Sequence, residues 1–208
     1  MDTPTPTTNI PNTTNTTTDA DILPADPAGR QGRAEATMRA LVLDGFGTED
    51  GFVPRDAPLP VPGTGQVRIR VRAIGINPLE TKIRKGWMAE VMPTTFPAIL
   101  GNELAGVVDA VGDGVQGIAV GDRVAGFAAT GSYAEYALSR ADTVARVPDG
   151  LSFEHAVTIP TGAETTRRAL APLRITRGET VVVNGAAGGV GSMAVQLLVA
   201  AGGEVGRP

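Results

Sequence analysis

The residues with the clearest chemical potential form a glycine-rich run near the end of the sequence. The run consists of Ala186, Ala187, Gly188, Gly189, Val190 and Gly191. It matches a dinucleotide-binding fingerprint with alanine in the first glycine position. In such a turn, Gly188 lets backbone N–H groups approach a pyrophosphate, and Gly191 lets the next helix pack closely on the preceding strand. The alternative is a glycine-rich strand-to-helix turn that binds no ligand.

The segments on either side of this run fit the elements that such a turn needs. Residues 179–184 are rich in β-branched valine, which is typical of a strand buried on both faces of a parallel sheet. After the turn, apolar residues recur at helical spacing, at Val190, Met193, Ala194, Leu197, Leu198 and Ala201. The helix N-terminus offers unpaired N–H groups and a positive dipole end to phosphates. The sequence therefore predicts the start of a Rossmann sheet.

Upstream of this unit, the pattern is that of many short strands. Residues 66–77 alternate, with Val67, Ile69 and Val71 on one face and arginines on the other, which we interpret as the solvated face. Further strands are predicted at 38–43, 105–111, 122–128, 132–138 and 143–147. A short helix is predicted between Pro78 and Gly86. Short strands separated by glycine turns predict a small β-barrel or sandwich.

Two helical pieces connect the strands to the glycine-rich run. Ser152 is placed to cap a helix that begins at Phe153, Pro160 interrupts it, and residues 162–173 form the second piece. The predicted organisation is a tail at 1–37, a β-rich domain at 38–160, and a helical bridge with the start of a Rossmann domain at 161–208. The tail is dominated by Thr, Pro, Asn and Asp, a composition that favours disorder.

Composition narrows the classes of function. The chain has 208 residues, a formal net charge of −4 and no cysteine. This charge gives no basic footprint for nucleic acid, and the absence of cysteine excludes disulfides and thiolate zinc sites. We find no apolar stretch long enough to cross a membrane and no secretory signal, so we expect no membrane partner and a cytoplasmic location.

A series of segments, taken in order, resembles the medium-chain dehydrogenase/reductase superfamily. The segments are GINPLETKIRKG, PAILGNELAGVVDAVGDGV, GDRVAGF, GSYAEYAL, VPDGLSFEHAVTIP and NGAAGGVGSMAVQLL. The resemblance runs from about residue 38 to about residue 205 and is strongest to the zinc-free quinone oxidoreductase and enoyl-reductase branch. It implies a GroES-like β-barrel beside a Rossmann domain, with NADPH bound between them and NADH not excluded.

The same resemblance bears on zinc. Zinc alcohol dehydrogenases of the superfamily carry a Gly-His-Glu segment whose histidine is a ligand, and here the segment is Gly101-Asn102-Glu103. The cysteine ligands are absent, and His155, the only histidine, is interpreted as a surface or packing residue. Because a catalytic zinc takes about three protein ligands, we expect no zinc.

The resemblance also implies site residues. Asn77 matches an asparagine near the nicotinamide and substrate, Thr165 a threonine that lines the cofactor cleft, and residues 186–191 the pyrophosphate turn. Lys82 matches a lysine or tyrosine that would donate a hydrogen bond to a developing oxyanion, and a solvated helix lysine is the alternative. Glu164 and Arg167 depart from the pattern, because relatives have an apolar residue and an aromatic there.

The function implied is hydride transfer from NADPH to a quinone or an activated alkene (enone or enal), without zinc. Family members continue beyond this point, and the residue that selects NAD or NADP would lie about 20 residues past the glycines, at or beyond Pro208. We therefore expect a C-terminally truncated form, for which the homodimer of full-length relatives is doubtful. The alternatives are an inactive fragment and a non-catalytic GroES-like binding or assembly module.

Overall fold

A computed structural model describes residues 36–47, 51–202 and the backbone of 204–206. The predicted tail lies outside the described residues, apart from its last two positions. The strands are β1 (Thr37–Leu43), β2 (Phe52–Pro58), β3 (Gln66–Ile74), β4 (Ala98–Ile99), β5 (Glu103–Val111), β6 (Arg123–Phe127), β7 (Tyr136–Arg140), β8 (Val144–Arg146), β9 (Thr180–Val182) and β10 (Glu204–Gly206). The helices are α1 (Pro78–Arg84), α2 (Phe153–Ala156), α3 (Pro160–Leu170) and α4 (Gly189–Ala200).

A five-stranded antiparallel sheet in the order β7-β3-β5-β6-β8 forms the centre of the β-rich part. Its alternating strands turn their apolar residues to one face, as the sequence predicts for β3. Val67, Ile69, Leu104 and Val124 are completely buried there. Since fully burying such a side chain is worth about 1.5–3 kcal/mol, this face holds much of the stability of the β-rich part.

A smaller antiparallel sheet, in the order β2-β1-β4, covers a second apolar cluster around Leu43 and Tyr133. The sequence predicted β1 but neither of its partners. Strand β2 contains Pro54 and lies at the edge of its sheet, where a residue without an N–H does not interrupt a ladder. Strand β4 has only two residues, so its pattern is too short to read.

One arginine of β3 differs from the prediction of a solvated face. The Arg68 guanidinium donates to both carboxylate oxygens of Asp109 at 2.9 and 3.0 Å, and also to the carbonyl of Pro60. It lies 5.6 Å from the ring centroid of Tyr136. The bidentate pair raises the pKa of Arg68 and joins neighbouring strands β3 and β5 across the sheet.

The helices begin where the sequence signals predict, with one small shift. Ser152 caps α2, because its Oγ accepts from the N–H of His155 at 3.3 Å, although α2 is only four residues long. Helix α3 begins at Pro160 itself rather than after it, since proline is well suited to the first helical position. Within the described residues, no helix has the length and apolar character needed to span a bilayer.

The last elements form a small parallel unit. Strand β9 is followed by the glycine-rich turn and α4, and β10 then pairs with β9 in parallel. The sequence predicted the helix and a strand buried on both faces at 179–184. The strand forms over Thr180–Val182, but the burial prediction was wrong, since Val181 is only half-buried and Val182 is exposed, and the structure adds the short second strand. The observed architecture is thus a GroES-like β-barrel followed by the beginning of a Rossmann sheet.

Candidate functional site

A cleft with a volume of about 1090 Å³ lies between the β-barrel and α3. One wall comes from β6, β8 and the segment that follows β8. The other wall comes from α3, with Leu197 of α4 beside it. Asn102 and Leu79 also line this cleft, so the loop before β5 and the first turn of α1 reach it.

Asn77 ends the extended segment after β3 and is the N-cap of α1. Its backbone N–H donates to Oε2 of Glu80 at 3.0 Å, one half of a capping box. Its side-chain Nδ2 donates to Oε1 of Glu103 at 2.9 Å. Asn77 is half-buried and is not among the residues that line the cleft, although Leu79 and Asn102 beside it are.

Lys82 lies on α1, away from the buried side of that helix, which carries Glu80 and Ile83. Its side chain is exposed and makes no hydrogen bond or ion pair with any residue that the structure describes. The structure does not bring Lys82 into the cleft lining. Its proposed role as an oxyanion donor therefore stays a prediction.

Thr165 is exposed on α3 and lines the cleft. Its neighbour Thr166 is completely buried, and its Oγ1 donates to the carbonyl of Val190 at 3.0 Å. Because Val190 is in the first turn of α4, this bond ties the cleft wall to the glycine-rich turn. A Cβ on Gly162 would come within 3.9 Å of the Gly189 carbonyl, which shows how closely the two elements approach.

The departure from the family pattern at Glu164 and Arg167 has a local explanation. Glu164 is paired with Arg167 through bonds of 2.9 and 3.1 Å, and with Arg168 through a bond of 2.7 Å. These guanidinium groups lower the pKa of Glu164 to about 2. All three side chains line the cleft. The negative charge of Glu164 is thus balanced by one guanidinium, and the three side chains together add one positive charge to the α3 wall of the cleft.

The glycine-rich turn leaves space at some positions and none at others. A Cβ on Gly191 would lie 2.2 Å from the carbonyl oxygen of Gly185, so the fold itself requires glycine there. Gly188 has φ −79°, which any residue adopts, and its Cβ would make only an ordinary contact of 3.4 Å. None of the described atoms lies within 4 Å of a Cβ on Gly189. Packing among the described residues does not explain glycine at 188 and 189.

Several structurally important residues were not identified from the sequence. Glu80 and Glu103 are both buried, and Thr166 holds α3 against α4. A signal for Glu80 was available, because an N-cap asparagine followed three residues later by glutamate is a capping-box pattern. Glu103 opens an apolar strand, and its burial depends on partners from α1 and α3 that are distant in sequence.

The predicted absence of zinc concerns the segment Gly101-Asn102-Glu103. Asn102 lies at the cleft, and its N–H donates to Oε1 of Glu80 at 3.1 Å. Across the described part of the chain, no three His, Cys, Asp or Glu side chains are grouped as metal ligands. His155 is exposed on α2 and contacts Ser152 in the same helical turn. It is not among the residues that line the cleft.

Comparison with known proteins agrees with this geometry. The family model of the alcohol dehydrogenase GroES-like domain matches residues 63–149. Human quinone oxidoreductase is 39% identical over 168 residues, covering 79% of this chain and 50% of its own. The chain belongs to the medium-chain dehydrogenase/reductase superfamily.

Two further relatives show the range of this superfamily. The synaptic vesicle membrane protein VAT-1 homolog-like of Mus musculus is 35% identical over 173 residues, covering 83% of this chain and 41% of its own. A mycobacterial protein whose structure is complexed with NADPH is 35% identical with a TM-score of 0.70, covering 82% of this chain and 52% of its own. The chain spans about half the length of the relatives it matches.

Proposed function

We propose that this chain belongs to an NAD(P)H-dependent, zinc-independent oxidoreductase that transfers a hydride to a quinone or an activated alkene. The observation that carries the proposal is the join between α3 and the glycine-rich turn. The bond from Thr166 to Val190 brings the cleft wall that carries Thr165 next to the glycine-rich turn, where a Cβ on Gly188 would make only an ordinary contact and one on Gly189 would meet no described atom within 4 Å. The turn that binds phosphate would thus lie next to the cleft in which the reaction takes place.

The residues present fit a nicotinamide dinucleotide. No side chain that the structure describes caps the N-terminus of α4, so its backbone N–H groups suit a pyrophosphate. When bound, the cofactor supplies the hydride, which goes to the β-carbon of the alkene, and a proton added at the α-carbon completes the reduction. In this proposal, Asn77 and Thr165 hold the reacting groups, and Lys82 donates to the developing oxyanion.

Relatives support the cofactor and substrate classes without deciding between members of each class. One relative is named quinone oxidoreductase, and another is complexed with NADPH. We propose NADPH as the cofactor, a small-molecule quinone, enone or enal as the substrate, and a cytoplasmic location. No nucleic acid is expected as a partner, given the net charge of −4.

A fluorescence titration with NADPH, and with NADH in parallel, tests this proposal on the purified 208-residue chain. We expect saturable binding, weakened about tenfold by Gly188→Ala, because a methyl group would occupy the space left for a phosphate. Gly45→Ala is the matched control, since no described atom lies within 4 Å of a Cβ there and its φ is not positive. A folded chain that binds neither cofactor would overturn the proposal for this chain.

A second candidate is a non-catalytic module for binding or assembly. It is favoured by apolar side chains that β9 and α4 leave at the surface, with Val182 exposed by 70%, Val199 by 57% and Leu197 by 39%. Exposed apolar patches often mark interaction sites. This candidate predicts a folded chain with no dinucleotide binding, so the same titration separates the two.

A further inference from the structure

Two buried carboxylates lie beside the cleft, and they differ in what they bind. Glu80 and Glu103 are each only 4% exposed. Each accepts two hydrogen bonds, and neither has an arginine or lysine partner among the described residues. Because buried charge is costly, each carboxylate depends on its donors. The donors of each carboxylate therefore show which elements of the fold it connects.

The partners of Glu80 are both backbone groups, the N–H of Asn77 and the N–H of Asn102. Glu103 instead binds one side chain and one helix end. Its Oε1 accepts from Nδ2 of Asn77 at 2.9 Å, and its Oε2 accepts from the N–H of Thr161 at 2.9 Å. Since Thr161 is in the first turn of α3, whose N-cap residue is Ile159, the carboxylate of Glu103 satisfies a free N–H of this helix end from strand β5, at the positive end of the helix dipole.

This arrangement fixes the polarity of the Asn77 amide. An ionised carboxylate only accepts hydrogen bonds, so the amide must turn its nitrogen, not its oxygen, toward Glu103. The backbone makes room for the pair, because a Cβ on Gly75 would lie 2.1 Å from Oε1 of Glu103. One amide hydrogen of Asn77 then remains without a partner in the described residues.

We propose that Glu103 is a positioning residue, which joins the Asn77 amide to the N-terminus of α3 and fixes that amide as a hydrogen-bond donor toward a ligand. The carboxylate therefore couples two elements that border the cleft, α1 and α3. The part of this inference that concerns a ligand rests on the proposed function. The part that concerns the join does not.

The link that Glu103 makes between Asn77 and α3 can be tested by reversing the direction of the hydrogen bond between positions 77 and 103. In Glu103→Gln, the N–H of Thr161 is still a donor and takes the new amide oxygen, so the new amide nitrogen faces Asn77, whose own amide can turn over and accept through its Oδ1. In Asn77→Asp, two carboxylates face each other. In the double variant, the new amide at position 103 donates to the new carboxylate at position 77, while its oxygen still accepts from the N–H of Thr161. Every bond is then restored, and the bond between positions 77 and 103 has the opposite polarity. Aspartate also remains a good N-cap for α1.

We expect Asn77→Asp to lower the Tm by about 5 °C or more, Glu103→Gln to lower it by less, and the double variant to recover most of the loss caused by Asn77→Asp. Glu80→Gln is the matched control, because Glu80 has the same burial and also accepts two bonds, but from backbone groups only. Combined with Asn77→Asp, it should recover less of the Tm than Glu103→Gln does, because its bond to residue 77 is made by the backbone N–H, which the substitution leaves in place. Losses that simply add in the Glu103 pair would overturn the proposal.

Dinucleotide binding then tests the orientation toward a ligand. The double variant regains its fold but presents a carboxylate oxygen where the wild-type chain presents an amide hydrogen. We expect NADPH to bind about tenfold more weakly to it than to the wild type, despite the recovered Tm. Recovery of both Tm and affinity would show a merely structural role. If the wild type binds no dinucleotide, the proposed function fails, while the Tm cycle still decides whether Glu103 makes the join.

Discussion

Similar apolar residues are buried in the β-barrel but exposed in the parallel unit made by β9, α4 and β10. In the barrel, Leu104 and Val124 are completely buried, whereas Val182 and Val199 of the parallel unit are mostly exposed. Leu104 and Val124 lie on β5 and β6, which have neighbouring strands on both sides and a shared core, but β9 has a single partner strand among the described residues. The apolar pattern alone therefore does not decide burial, because a strand is buried only where other layers cover it.

The two regions nevertheless depend on each other at one place. Helix α3 lines the barrel cleft on one side and contacts α4 through Thr166 on the other. Its N-terminus is held by Glu103 of β5. The β-barrel thus completes its own core, whereas the parallel unit depends on its attachment to the barrel through α3.

The largest effect is expected in the barrel core. Leu104→Ala should lower the free energy of unfolding by about 2–5 kcal/mol, because it leaves a cavity in a fully buried cluster. Leu197→Ala is the matched change in the parallel unit and should cost less than about 1 kcal/mol, since Leu197 is exposed. Urea denaturation followed by circular dichroism measures both. Equal losses would remove the contrast between the regions.

A smaller effect, confined to the parallel unit, is expected from Gly191→Ala. The new methyl group would collide with the Gly185 carbonyl, a cost of about 1–3 kcal/mol for overpacking. Hydrogen exchange should show lost protection of the α4 amides and unchanged protection of β3 and β5. Loss of protection throughout the chain would show that the two regions unfold as one unit.

Alkaline pH should act on the barrel through Tyr133. Burial, together with the charges of Glu80 and Glu103, raises the pKa of this phenol from 10.0 to about 12. Because the folded state holds the neutral form, the contribution is complete below about pH 10 and is lost as pH rises toward 12. Tyr133→Phe should remove this loss, on the order of 1 kcal/mol. Unfolding of both proteins at about pH 9, 10 and 11 measures it, and parallel curves would contradict the assignment.

Acid should act on α3 through Glu164, with the smallest effect of the set. Arg167 and Arg168 lower its pKa from 4.5 to about 2, so its contribution is present above pH 4.5 and is lost as pH falls toward 2. The guanidinium groups are well exposed, which keeps the contribution small. Glu164→Gln should flatten the dependence of Tm on pH between about 5 and 2. An unchanged slope in that variant would show that the cluster adds no stability.

Local patterns predicted much of the fold because their causes are local. The alternation in β3, the cap at Ser152 and the glycine at 191 each depend on a few neighbouring residues. The pairing of Arg68 with Asp109, by contrast, joins residues 41 positions apart and gave no local signal. Strand β2 was missed because its proline reads as a break until the edge position is known.

The sequence by itself determined the order of elements, the glycine-rich turn and the superfamily, because side-chain period, turn chemistry and motif order are properties of short segments. Only the tertiary structure decided that Glu103 binds Asn77 and Thr161, that Thr166 joins α3 to the turn, and that Lys82 lies outside the cleft lining. The physical reason is distance along the chain. A buried carboxylate takes whichever donors the packing of separate elements brings within about 3 Å, and no local pattern records that choice.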